Sequence, residues 1–78
     1  MRKTFLDDDF QEWEAYVSAG APHGSAAARI VFVCLSTPGE RPRFVRHPSG
    51  DAVEAERELF HMKDEDLAAL FDSSDTLP

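Results

Sequence analysis

The segment from Ile30 to Leu35 constrains the fold most strongly, because all six of its residues are apolar. Half of them are β-branched and one is Phe, which is typical of a strand, and the run is too short for a typical helix. Pro38-Gly39 follows and predicts a tight turn. The strand period of two separates its side chains into two groups: Ile30, Phe32 and Cys34 on one face, and Val31, Val33 and Leu35 on the other. The sequence therefore predicts a central strand that needs cover on both faces.

The charge of the chain is unevenly distributed. Its 78 residues carry a net charge of −7, and this length allows one domain. Residues 21–50 hold four basic residues and one acidic residue, whereas residues 51–78 hold two basic and nine acidic residues. Attraction to phosphate is the main term in non-specific binding to nucleic acid, so the acidic total argues against a general binder of nucleic acid or membrane surfaces.

Targeting signals and cysteine content predict a cytoplasmic protein. No apolar run approaches the roughly 18 residues of a membrane span, and the segment after Met1-Arg2-Lys3 lacks the apolar core of a signal peptide. The single cysteine excludes an internal disulfide and fits a reducing compartment. Packing alone must then hold the fold, and no residue pattern calls for a cofactor.

Residues 4–17 fit two structures. In a β-hairpin, the acidic run Asp7-Asp8-Asp9 lies in the turn and Trp13, Ala15 and Val17 share one face. In a helix, the large apolar residues of this segment recur at helical spacing, and Gly20 ends the helix. Composition and periodicity leave the two alternatives open.

The segments on either side of the turn at Pro38-Gly39 are less regular. Residues 18–28 are mostly small, lack a phosphate-binding glycine pattern and are predicted to form a disordered loop. Residues 41–47 are predicted to form the last strand, and Pro42 indicates an edge of the sheet because proline cannot donate a ladder hydrogen bond.

The C-terminal third is predicted to be helical. Asp51 and Glu54 have the spacing of a capping box, and a break is expected near His61-Met62. A second helix then starts at Lys63, where acidic residues 64–66 favour its N-terminus through the helix dipole. Residues 73–78 are predicted to be a frayed tail.

Four segments together resemble a group of short uncharacterised bacterial proteins that share an Asp-Gly hairpin, a Trp strand, an Arg-rich strand and an acidic-start terminal helix. The segments are Arg2…Phe5-x-Asp7, Trp13-Glu14-Ala15-Tyr16-Val17, Arg41-Pro42-Arg43-Phe44-Val45 and Lys63-Asp64-Glu65-Asp66-Leu67-x-x-Leu70. This chain departs from the group pattern near Phe10, where a turn glycine is expected, and at Lys63, where a capping serine is expected. The resemblance implies the hairpin rather than the helix for residues 7–17, and it implies no site.

The predicted fold class is α+β. Residues 1–72 form an antiparallel sheet of three to four strands in meander order, with the C-terminal helical segments packed on one face. The predicted core contains Phe5, Trp13, Val17, Phe32, Leu59, Leu67, Leu70 and Phe71.

No residue pattern indicates catalysis. Cys34 lies in the most apolar segment and is expected to be a buried hydrophobe rather than a nucleophile. His23, Cys34, His47 and His61 are too widely spaced for a short chelating pair, and Asp7-Asp8-Asp9 lacks the spaced ligands of a calcium loop. We therefore expect neither an enzyme nor a metal protein.

Two surfaces are candidate sites. The only basic cluster, Arg29, Arg41, Arg43 and Arg46, could contact an anion or an acidic partner, and the strand with Arg41, Arg43 and Arg46 could bind single-stranded nucleic acid. The favoured alternative is that these arginines face the acidic helices of the same molecule. The uncovered face of the central strand predicts an apolar interface, formed by Val31, Val33, Leu35, Tyr16 and Val45. The alternative is that residues 19–28 or the N-terminal residues fold back over this face. The first interpretation of function is a protein-interaction or regulatory accessory module that forms a two-fold homodimer through the sheet face or edge.

Overall fold

The computed structural model describes residues 2–18, 28–48 and 50–77. They form one antiparallel sheet, whose strands follow chain order from β1 to β5, and two helices. The elements are β1 Arg2–Leu6, β2 Glu12–Ser18, β3 Arg29–Cys34, β4 Arg43–Arg46, α1 Ala52–His61, α2 Asp64–Asp72 and β5 Asp75–Thr76. The α+β class and the meander order are confirmed, but the sheet has five strands rather than three to four.

The N-terminal segment is a β-hairpin, in which Phe5 pairs with Trp13 and Leu6 with Glu12. The Asp7 carboxylate holds the connecting loop. It accepts hydrogen bonds from the backbone N–H of Asp9 (2.8 Å) and Gln11 (2.9 Å) and from Trp13 Nε1 (2.9 Å). The hairpin alternative is therefore the observed one, and the turn aspartate also anchors the buried indole.

Residues 73–77 belong to the fold, so the predicted frayed tail is wrong for them, and Pro78 lies outside the described residues. Asp75 and Thr76 form β5 against β4, and the Leu77 N–H donates to the Pro42 carbonyl (2.8 Å). Ser74 is buried and accepts hydrogen bonds from Arg43 Nε at its hydroxyl and from Arg43 Nη2 at its carbonyl, both at 2.7 Å. Because β5 has only two residues, no periodic pattern in the sequence indicates it.

Helix boundaries agree with the capping signals. The Asp51 side chain accepts from the Val53 N–H (2.9 Å) at the start of α1, and the Asp66 carboxylate accepts from the Lys63 N–H (3.1 Å) at the start of α2. At the C-terminus of α1, Lys3 Nζ donates to the carbonyls of Phe60 and Met62. A cation at a helix C-terminus satisfies carbonyls that have no partner within the helix, so this contact ties α1 to β1.

The core lies between the sheet and the two helices. Its centre comprises Phe5, Trp13, Ala15, Ile30, Phe32, Leu59 and Leu67, and Val17, Leu70 and Phe71 pack against it from partly buried positions. The Phe71 ring lies 4.6 Å from the Trp13 ring and 5.4 Å from the Phe32 ring, centroid to centroid. Every residue of the predicted core is therefore in the core or in contact with it.

Candidate functional site

The two faces of the sheet differ in what covers them. Phe5, Trp13 and Phe32 point toward the helices, and we call that side the covered face. The alternate residues of the same strands point the other way, to a side that we call the open face. Leu59 of α1 and Leu67 of α2 are buried in the core on the covered face, so among the described elements no helix lies over the open face.

Strand register arranges the open face in four cross-strand rows. In order along the strands, the basic row is Ser18, Arg29 and Arg46; the aromatic row is Arg2, Tyr16, Val31, Phe44 and Asp75; the central row is Thr4, Glu14 and Val33; and the hairpin row is Leu6, Glu12 and Leu35.

The aromatic row shields its central valine. Val31 is only 6 % exposed and lies between Tyr16 and Phe44, which are both partly exposed. The Arg2 guanidinium lies 5.2 Å from the Tyr16 ring centroid, and that of Arg29 lies 5.4 Å from the Phe44 ring centroid, within cation–π range. A partner on this part of the face would therefore contact the two rings and their arginines rather than Val31.

The hairpin row carries the more exposed apolar side chains. Leu6 is 56 % exposed and Leu35 is 47 % exposed, and they flank Glu12 in register. In the neighbouring central row, Glu14 accepts an ion-paired hydrogen bond from Arg2 (2.6 Å). The apolar surface is thus displaced from Val31 toward the hairpin end.

Val45 does not belong to the open face, so its predicted place in the interface is wrong. It pairs with Ile30 and packs against the core, which places it on the covered face. Its neighbour Phe44 is the residue of β4 on the open face, and sequence reasoning did not place it in the apolar interface. Alternation shows that Phe44 and Val45 point in opposite directions, but only the register with β3 decides which of them is covered.

The four arginines of the predicted basic cluster do not form one site. Arg41 is exposed and precedes β4, and Arg43 points to the covered face, where it binds Ser74 and lies over the Phe71 ring at 4.9 Å. Arg29 and Arg46 face each other directly in the basic row. A pair rather than a cluster is therefore available to an external anion.

The candidate reactive groups have structural partners. His47 is buried and contacts the Glu58 carboxylate, and Cys34 packs against the core. Desolvation alone would raise the pKa of Asp7, but hydrogen bonds from Gln11, Trp13 and Asp9 outweigh it and lower that pKa below its ordinary value. Within residues 2–18, 28–48 and 50–77, no group of three or more His, Cys, Asp or Glu side chains is arranged to hold a metal ion. His23 and most of the predicted loop lie outside the described residues.

A shallow cleft of about 410 Å³ opens between the two helices. Its lining residues are Arg57, Glu58, His61, Met62 and Asp66. The lining mixes both signs of charge, and in the described part of the chain no buried polar side-chain atom lacks a hydrogen-bond partner. The cleft therefore shows no unpartnered buried polar group, among the described residues, that would select a ligand.

Two further findings bear on the function. No helix in the described part of the chain is long and apolar enough to cross a membrane. Comparisons with protein-family models, curated proteins and solved structures found no match.

Proposed function

We propose that this protein is a small non-enzymatic interaction module that associates through the open face of its sheet. The observation that carries the proposal is the apolar character of a face that no described element covers. Leu6 and Leu35 are largely exposed there, and Tyr16, Val33 and Phe44 are partly exposed. Exposed apolar side chains grouped on one face of a small protein commonly mark an interface.

The carboxylate of Asp7 and the ring of His47 serve the fold, which is consistent with an interaction module. General acid–base catalysis needs groups whose pKa values are tuned by their surroundings. Asp7, whose pKa is lowered by hydrogen bonds, uses its carboxylate to hold the hairpin loop. We place the module in the cytoplasm, because its single cysteine packs against the core and suits a reducing compartment.

The expected association is weak. With a strand spacing of about 4.8 Å and a two-residue repeat of about 6.8 Å, the thirteen positions of the four rows on β1 to β4 offer roughly 400 Å² of face. Two such faces fall below the roughly 1,200 Å² of a standard stable interface, so association should be transient. A second copy of the chain is the simplest partner, since a two-fold dimer needs only one self-complementary patch.

Light scattering on a size-exclusion column, run from low to high micromolar concentration, tests this function. We expect the mass to rise toward that of a dimer, and the variant Phe44→Glu to abolish the rise by placing a charge on the open face. Phe60→Glu is the matched control, because Phe60 is 62 % exposed on α1. A strictly monomeric mass at high micromolar concentration overturns the proposal, as does equal loss of association in the control.

The second candidate is a single-stranded nucleic-acid binder. It is favoured by two partly exposed rings, Tyr16 and Phe44, on the same sheet face as Arg29 and Arg46. Such binders stack bases on aromatic side chains beside basic groups. Against it, Arg43 is engaged by Ser74 on the covered face.

A salt titration distinguishes the two functions. Binding of a single-stranded oligonucleotide through phosphates must weaken steeply as salt is added. Absence of binding at low salt removes this candidate.

A further inference from the structure

The open face has opposite charges at its two ends, and this polarity, if the proposed function holds, determines how two copies meet. The basic row contains Arg29 and Arg46, whereas the hairpin row contains Glu12. Along β2, the two rows are separated by the residues from Glu12 to Ser18, which corresponds to about 20 Å at a rise of about 3.4 Å per residue. The ends are therefore separate electrostatic regions.

The charges of these two rows have no opposite partner within the described part of the chain. Arg29 and Arg46 lie directly opposite each other, and like charges in that position destabilise a sheet. Arg29 has a described contact with the Phe44 ring, but no described carboxylate pairs with either arginine. The Glu12 carboxylate is exposed and likewise has no described cationic partner. Both rows would gain from an external charge of the opposite sign.

A second copy can supply both charges at once. If the two-fold axis lies in the interface and runs obliquely across the strands, it exchanges the two ends of the face and brings the hairpin end of β2 in one copy over the basic end of β3 in the other. The hairpin row of one copy then lies over the basic row of the other, twice per dimer. An axis parallel to the strands would instead place Glu12 of one copy near Glu12 of the other, and Arg29 of one copy near Arg29 of the other. Like-charge contacts oppose such an arrangement.

The geometry points to a face-to-face dimer in which the strands of the two copies run in opposite directions and Glu12 of each copy meets the Arg29–Arg46 pair of the other. The same arrangement stacks the aromatic row of one copy on the central row of its partner, which covers Tyr16 and Phe44. Association is then steered by charge and sensitive to ionic strength, although the contact area is small.

Reciprocal charge reversal tests this arrangement. Glu12→Arg alone creates two like-charge contacts per dimer, and so does Arg29→Glu alone. We expect each variant to dimerise about tenfold more weakly than the unmodified chain. In an equimolar mixture, the two introduced charges attract each other across the interface, and the unmodified Glu12 still meets the unmodified Arg29. A heterodimer should therefore form with restored affinity, and differently labelled variants allow it to be measured by fluorescence energy transfer.

Two variants on the helices are the matched controls. Glu65→Arg on α2 and Arg57→Glu on α1 make the same changes in charge away from the open face. Neither control should weaken dimerisation, and their mixture should show no gain over the single variants. Circular dichroism checks folding, and Arg46→Glu replaces Arg29→Glu if the latter unfolds.

The outcomes separate the arrangement from the proposed function. A heterodimer from the mixture, with both single variants weakened, supports the opposed orientation. Dimers that are unaffected by both reversals, or a mixture that shows no recovery, overturn the orientation and leave association through the open face intact. A monomeric unmodified chain overturns both.

Discussion

The covered and open faces are built from the same strands, yet they use their side chains differently. On the covered face, Trp13 and Phe32 are buried among rings, and even the cationic Arg43 has two hydrogen-bond acceptors. On the open face, Arg46, which lies opposite Arg29, has no described acceptor, and Leu35 is exposed. A single alternating pattern has therefore separated the residues that determine stability from those available for binding. Paired substitutions, one on each face, measure how complete this separation is.

The largest expected difference lies within β2. Trp13→Ala removes an indole that is 2 % exposed, packs on Phe71 and donates to Asp7, and it should lower the free energy of unfolding by about 3–5 kcal/mol. Tyr16→Ala on the open face removes a partly exposed ring and should cost about 1 kcal/mol or less. Urea unfolding followed by circular dichroism measures both values. Equal losses would mean that the open face is a second core.

A smaller difference is expected within β4. Arg43→Ala removes two hydrogen bonds to Ser74 and the contact with the Phe71 ring, at a cost of about 2–3 kcal/mol. Arg46→Ala should change stability by less than about 0.5 kcal/mol, because Arg46 is exposed and has no described acceptor. Thermal unfolding of the two variants provides the comparison. A loss at Arg46 that matches the loss at Arg43 would contradict the assignment of the two faces.

Phe44 and Val45, which are neighbours in β4, show what the sequence can and cannot predict. Local patterns were sufficient for the meander order, the break between the helices and the eight predicted core residues, but they left hairpin and helix open for residues 4–17 and did not place Ala15 and Ile30 in the core. The facing of Phe44 and Val45 depended on the pairing of Val45 with Ile30, a contact between distant residues that no local pattern contains. β5 was missed for a related reason, since its anchor Ser74 is bound by Arg43, 31 residues earlier.

An intermediate effect is expected in the hairpin loop, with a defined pH dependence. Asp7→Asn retains an acceptor for backbone amides but loses one for the Trp13 indole, and should cost about 1–2 kcal/mol at neutral pH. The pKa of Asp7 is lower in the folded chain than in the unfolded chain, so its ionised form adds stability above the unfolded value of about 3.9. That contribution is lost as the pH falls below this value.

Unfolding experiments at several pH values should therefore show the Asp7→Asn variant and the unmodified chain converging below about pH 4. Asp8→Asn is the control, because Asp8 is exposed and its side chain has no described hydrogen bond. A constant difference between Asp7→Asn and the unmodified chain at all pH values would show that the charge of Asp7 does not matter.

The smallest expected effect is a gain in stability, at Phe10 in the same loop. Its backbone φ is 62°, in the left-handed region that bulky L-residues rarely adopt, and its side chain is 83 % exposed. Phe10→Gly relieves the backbone strain without loss of packing and should raise the free energy of unfolding by about 0.5–1 kcal/mol, after allowance for the entropy of glycine. Phe10→Ala separates backbone from ring, because it removes the ring but keeps a Cβ in the strained conformation. It should therefore leave stability within about 0.5 kcal/mol of the unmodified chain. A loss in both variants would instead show that the Phe10 ring stabilises the fold, and the hairpin loop would then belong with the covered face rather than with the exposed surface.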